Sequence, residues 1–145
     1  MIDEIKQYFD IEELVCPHIK DVHGEAAWRL FDPRLLEVLL WIRRKVNKPI
    51  YANWYERNLT QRGIRCNLCQ LVKDKSAAGT LYVSPHILAA GVDFDIQGML
   101  AEESRQWIEK HKAGLPHPIR IERNVNWVHL DVLVINESKI TYINP

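Results

Sequence analysis

Apolar positions recur at helical spacing in the early part of the chain and alternate with polar ones later. The first 30 residues mix short helical patterns with a Cys16-Pro17-His18 turn. The clearest helix follows: Asp32 is placed to cap it, Pro33 takes its first position, and Leu35, Leu36, Leu39, Leu40 and Ile42 supply an apolar face. It is expected to end before Asn47-Lys48-Pro49. Ile50 to Asn53 is rich in β-formers and predicts a short strand. Residues 54–83 show neither period and hold Trp54, Tyr55, Arg57, Arg62, Arg65 and a Cys66-x-x-Cys69 pair. A connection this long without periodic structure is usually functional or locally pinned.

Ser84-Pro85 predicts a short helical turn over His86 to Ala90, which Gly91 stops. Val92 to Ile96 then alternates as a strand, with Asp93 and Asp95 on one face and Val92, Phe94 and Ile96 on the other. Gly98 breaks it. Residues 99–112 read as a helix with Trp107 and Ile108 inward. Ile119 to Glu122 predicts a strand. Asn126 to Val134 predicts a longer one, with Val128, Leu130, Val132 and Val134 on one face and Trp127, His129, Asp131 and Leu133 on the other. Ile140 to Ile143 predicts the last strand. Helices first and strands later imply an α+β class, with a small antiparallel sheet and helices packed on one side.

Composition narrows the function. The length of 145 residues predicts a single domain over residues 1–145, and an apolar fraction of 47% is ordinary for a globular protein. Nineteen basic residues balance nineteen acidic ones. That neutrality argues against non-specific nucleic-acid binding, which needs a surplus of cations to displace counterions, and against a polybasic membrane binder. No apolar run approaches the roughly 18 residues of a membrane span. The acidic, amphipathic start lacks the basic and apolar regions of a secretory signal. Synthesis in the cytoplasm is therefore expected, and any action outside requires release by another agent.

Two strands each carry a polar pair on one face, Asp93 with Asp95 and His129 with Asp131. If these strands are neighbours the pairs meet, and His86, one turn before the first strand, folds over the same face. Two imidazoles and a carboxylate make a zinc site with three protein ligands, the fourth position being left to water. Cys66 and Cys69 have two readings. They are half of a structural zinc site completed by Cys16 and by His18 or His23, or they are plain reduced thiols in a buried loop.

The segment Ser84-Pro-His86-Ile-Leu-Ala-Ala-Gly-Val-Asp93 resembles the S-x-H-x-x-G-x-A-x-D signature of the M15 zinc peptidases, the group of D-alanyl-D-alanine carboxypeptidases and phage L-alanyl-D-glutamate endopeptidases. Trp127-Val-His129-Leu-Asp131 is similar to that family's second-histidine segment. The resemblance implies the M15 fold, with zinc on His86, Asp93 and His129. Upstream, Pro49 to Arg57 is similar to the segment ending in the family's S-G-Y-R. Spacing from the proline puts Arg57 at the substrate-binding arginine, with Arg62 and Arg65 as rivals.

There are three departures. Ala89 and Gly91 exchange the signature's glycine and alanine. Trp54-Tyr55-Glu56 replaces Ser-Gly-Tyr. Asn126 stands where many members carry the acid that serves as general base, and an amide cannot accept a proton near neutral pH. Asp131 and Glu122 are then the candidate bases, with Asp95 third. The resemblance implies a monomeric zinc metallopeptidase cutting bacterial peptidoglycan stem peptides. A phage or prophage origin and release to the cell wall go with it. The alternative is a non-catalytic cell-wall-binding or phage structural protein on the same scaffold.

Overall fold

Asp32 starts the central helix as its side chain dictates: Oδ1 accepts the Arg34 N–H at 2.9 Å, and Pro33 follows at the first helical position. In the computed structural model, which describes residues 1–145, this helix α4 covers Pro33–Val46. It ends at Asn47 in the left-handed conformation (φ 52°). Leu35, Leu36, Val38, Leu39, Leu40 and Ile42 are all buried. Three short helices precede it: α1 (Ile2–Ile5), α2 (Ile11–Leu14) and α3 (Pro17–His23).

The chain is α+β, with a five-stranded sheet in the order β1-β2-β4-β3-β5: β1 Ile50–Tyr51, β2 Gly91–Ile96, β3 Ile119–Glu122, β4 Val128–Asp131 and β5 Ile140–Ile143. The sheet is mixed, not antiparallel throughout as the alternation predicts. After β4 the chain crosses beyond β3 and lays β5 on its far side, parallel to it, pairing Ile119 with Ile140. β5 starts at the end of the sheet where β4 finishes, so it runs against β4 and, β3 and β4 being antiparallel, in the same direction as β3.

Apolar alternation builds one sheet face. Val92, Phe94, Val128, Leu130 and Ile121 join α4 and Ile108 of α6 (Ala101–His111) in one continuous core. The predicted strand 126–134 shrinks to four residues: before it Arg105 binds the Trp127 carbonyl, and after it the Leu133 N–H turns back to the Asp131 carboxylate. The segment 54–83 contains a 3-10 turn at Tyr55–Arg57 and one further α-helix, α5 (Gln70–Ala77), of which Val72 alone is buried. No helix of the chain is long and apolar enough to cross a membrane.

Candidate metal centre

β2 and β4 pair antiparallel with Asp93 opposite His129 and Gly91 opposite Asp131. Pairing puts these side chains on one face. Gly91 is required there: a Cβ at that position would lie 2.5 Å from the Pro85 Cβ and 3.1 Å from the Asp131 Cβ. Its bare backbone lets the turn over residues 84–90 lie down on the sheet and carry His86 above Asp93. The same compression puts Ala89 in the left-handed region (φ 54°), at the signature's glycine position.

The donor atoms of His86, Asp93 and His129 all lie within 4.8 Å of one another, and the three residues are buried. His86 Nδ1 donates to the Gly63 carbonyl at 2.9 Å. A carbonyl only accepts, so the nitrogen left to face Asp93 Oδ1, at 3.3 Å, is Nε2, which donates to that oxygen when protonated and offers a lone pair to a metal when not. His129 Nδ1 lies 2.7 Å from the same oxygen, and its Nε2 contacts Asp131 Oδ2 at 3.2 Å. Asp131 is in turn gripped by Arg120 through two bonds of 2.8 and 3.0 Å and accepts the Leu133 N–H. Two imidazole nitrogens and a carboxylate oxygen thus converge, each histidine oriented from behind by a hydrogen bond to its other nitrogen. This donor set fits a divalent metal ion.

Electrostatics follow the geometry. Burial opposes ionisation of Asp93, but His129 and His86 outweigh it and hold its carboxyl well below the usual carboxylate range. Burial likewise disfavours a charged His129, yet its bonds to Asp131 and Asp93 prevail and raise it to about 9. Burial also opposes ionisation of Asp131; His129 and Arg120 outweigh it and keep the carboxyl ionised.

The remaining sequence-derived residues separate clearly. Asp131 reaches the centre, but it is fully buried and its oxygens are taken by Arg120, His129 and Leu133. Glu122 lies on β3 two residues from Arg120, hence on the same face, and is half-buried. Asp95 is paired with Arg62 at 2.7 Å. Asn126 is exposed. Arg57 is also exposed, stacked 4.2 Å over the Trp54 ring, away from the cluster.

The arginine at the centre is Arg65, whose guanidinium is 3.6 Å from Asp93 Oδ2. Its Nε donates to the Gln61 carbonyl at 2.7 Å, Nη1 donates to the Tyr82 hydroxyl at 3.1 Å, and its backbone N–H donates to the His86 carbonyl. The signal for it lies in Gly63-Ile64-Arg65, which keeps the glycine and arginine of S-G-Y-R where Trp54-Tyr55-Glu56-Arg57 keeps the arginine alone. The glycine matters physically, because a Cβ at Gly63 would sit 2.1 Å from the Leu14 carbonyl oxygen.

A second cluster brings together Cys16, His18, Cys66 and Cys69, again with donor atoms within 4.8 Å of one another. His23 is not part of it. Burial pushes the Cys16 thiol up to about 12, the neighbouring Cys69 and Cys66 adding to the effect. No protein-family model, curated protein or solved structure matches the chain.

Proposed function

We propose that the chain is a zinc metallopeptidase of the M15 type, with that family's fold, hydrolysing peptide bonds in peptidoglycan stem peptides. The observation that carries this reading is the convergence of His86 Nε2, Asp93 Oδ1 and His129 Nδ1, with each imidazole oriented by a partner at its other nitrogen. When bound, zinc supplies a Lewis acid and lowers the pKa of water at the site to about 7. Gly63 and Asp131 hold the two rings in register for the metal. Glu122 takes the proton of the attacking water on its carboxylate, since Asp131 has no oxygen to spare. Arg65 holds the substrate's carbonyl oxygen or a free carboxylate, a task suited to a fixed guanidinium.

Zinc content and stem-peptide hydrolysis of the wild type, His86→Ala and Glu122→Gln test this reading. His86→Ala loses the metal of this centre and activity together. Glu122→Gln keeps the metal and loses about 10²–10⁴-fold in kcat, together with the acid limb of the pH profile. Undiminished hydrolysis by His86→Ala overturns the assignment. The exposed amide Asn126, in the place of the family's acid, favours a second reading as a cell-wall-binding protein on the same scaffold. Stem peptide bound without turnover by the zinc-loaded wild type selects that reading instead.

A further inference from the structure

α5 buries only Val72, and the cluster around it is small: Cys16, Cys69 and Val72, with Ile19, Cys66, Tyr82 and Ile87 half-buried at its edge. So little apolar surface is a weak anchor for residues 66–83, and upstream of them in the segment 54–83 Ile64 alone reaches the main core. Yet this segment carries Gly63 and Arg65, which must hold their places at the metal centre.

The four ligand-type side chains come from the start of α3 and from one turn at residues 66–69. Cys66 Sγ is 4.0 Å from Cys69 Sγ and 3.5 Å from His18 Nδ1, and Cys69 Sγ is 3.9 Å from that nitrogen. A tetrahedral zinc ion, at about 2.3 Å from sulfur and about 2.0–2.1 Å from nitrogen, sets its ligands roughly 3.5–3.8 Å apart. The spacing fits.

All three cysteines are free. Supporting bonds to sulfur are in place as well: the N–H groups of Leu68 and Cys66 donate to Cys66 Sγ and Cys69 Sγ, both at 3.4 Å. A shallow cavity lined by Val22, His23 and Leu68 reaches His18 and Cys66 and gives an ion a way in. With four protein ligands the arrangement is closed, as structural zinc sites are.

The cluster is wired to the first centre. Cys16 N–H donates to the Ile64 carbonyl at 2.9 Å and Ile64 N–H to the Leu14 carbonyl at 2.8 Å. Gly63 on one side of Ile64 receives His86, and Arg65 on the other faces Asp93.

We propose that Cys16, His18, Cys66 and Cys69 form a second, structural zinc site that fixes the segment 63–69, and with it Arg65, against the His86–Asp93–His129 centre. Its ligands are distinct from those of the peptidase reading, and its test does not use activity.

The reduced, demetallated full chain is titrated with Co²⁺ alone, then with Zn²⁺ alone. The wild type takes up about two ions per chain, one of them giving the near-ultraviolet charge-transfer absorption of cobalt bound to thiolates. His86→Ala takes up one and keeps that absorption. Cys66→Ser with Cys69→Ser loses it and shows faster hydrogen exchange at the Cys16 and Ile64 amides. Should that variant not fold, the wild type still decides: zinc protects its thiols from a disulfide reagent and a chelator exposes them. Absence of thiolate absorption in the wild type, with thiol reactivity the same with and without zinc, overturns the proposal. An inactive wild type that shows the thiolate absorption overturns the peptidase reading and leaves this one standing.

Discussion

Asp131 illustrates how much a side chain's role depends on its second contact. By alternation it belongs to the ligand face, and by charge it qualifies as a proton acceptor. Its bonds to Arg120, Leu133 and His129 make it an orienting group instead. Asp131→Asn keeps the shape and removes the charge behind the imidazole. The expected loss is about 10–100-fold in metal affinity, read by competition with a chelator of known strength.

Ala89 presents the opposite case, a residue whose backbone favours glycine. The left-handed conformation costs about 1–2 kcal/mol. Against that stand a buried methyl worth about 0.8 kcal/mol and about 0.4–1 kcal/mol of unfolded-state entropy. These nearly cancel, so Ala89→Gly is expected to change stability by no more than about 0.5 kcal/mol, and thermal unfolding checks it.

At the scale of elements, the exchange of small residues in the 84–93 segment has a steric logic. Pro85 fills the space that a side chain at 91 would occupy. Gly91→Ala therefore costs about 1–3 kcal/mol by overpacking, and removing the clashing Cβ in Pro85→Gly recovers part of it, the Asp131 Cβ at 3.1 Å being still in place. Denaturant unfolding of the two single variants and the double variant gives the coupling energy.

The elements most legible in the sequence were those whose local signals agree with their packing. α4 has its Asp32 cap, Pro33 and apolar stripe, and β2 has strict alternation with two acids on one side. What escaped was set by distant partners. β4 is shorter than its alternation because Arg105, from another element, claims the Trp127 carbonyl and the Asp131 carboxylate claims the Leu133 N–H. α5 lacks an apolar face to announce it. The parallel placement of β5 depends on a crossover that no local pattern encodes. Among candidate site residues, the convergence of His86, Asp93 and His129 was legible from alternation and strand pairing; Arg65 stood only as a rival to Arg57, because its position is fixed by contacts to Gln61, Tyr82 and the His86 carbonyl.

For the whole molecule, metal binding and folding pull on the same proton. With His129 raised to about 9 from an ordinary 6.5, the metal-free ring is charged at neutral pH, and a metal ion at Nδ1 must displace its proton. Zinc binding near pH 7 is expected to release about one proton from this ring, a release that fades above pH 9. Calorimetry in buffers of different ionisation enthalpy measures it.

The stability linkage has the opposite sign. A raised histidine pKa contributes stability that is complete below 6.5 and lost as pH rises through about 9. Metal-free protein should therefore melt lower at pH 9 than at pH 6.5, while its affinity for metal rises across the same window.

Chain order adds a dimension of time to the two clusters. The cysteine cluster is complete once Cys69 has been made, and the other waits for His129, with β2, α6 and β3 still to be synthesised. With the proposed zinc site, a chain emerging from the ribosome can thus tie its first knot, and shape the loop bearing Gly63 and Arg65, before Asp93 has emerged and before His129 has been made. The cradle is ready before its contents arrive, and a nascent chain starved of zinc would meet its first obstacle at the cysteines.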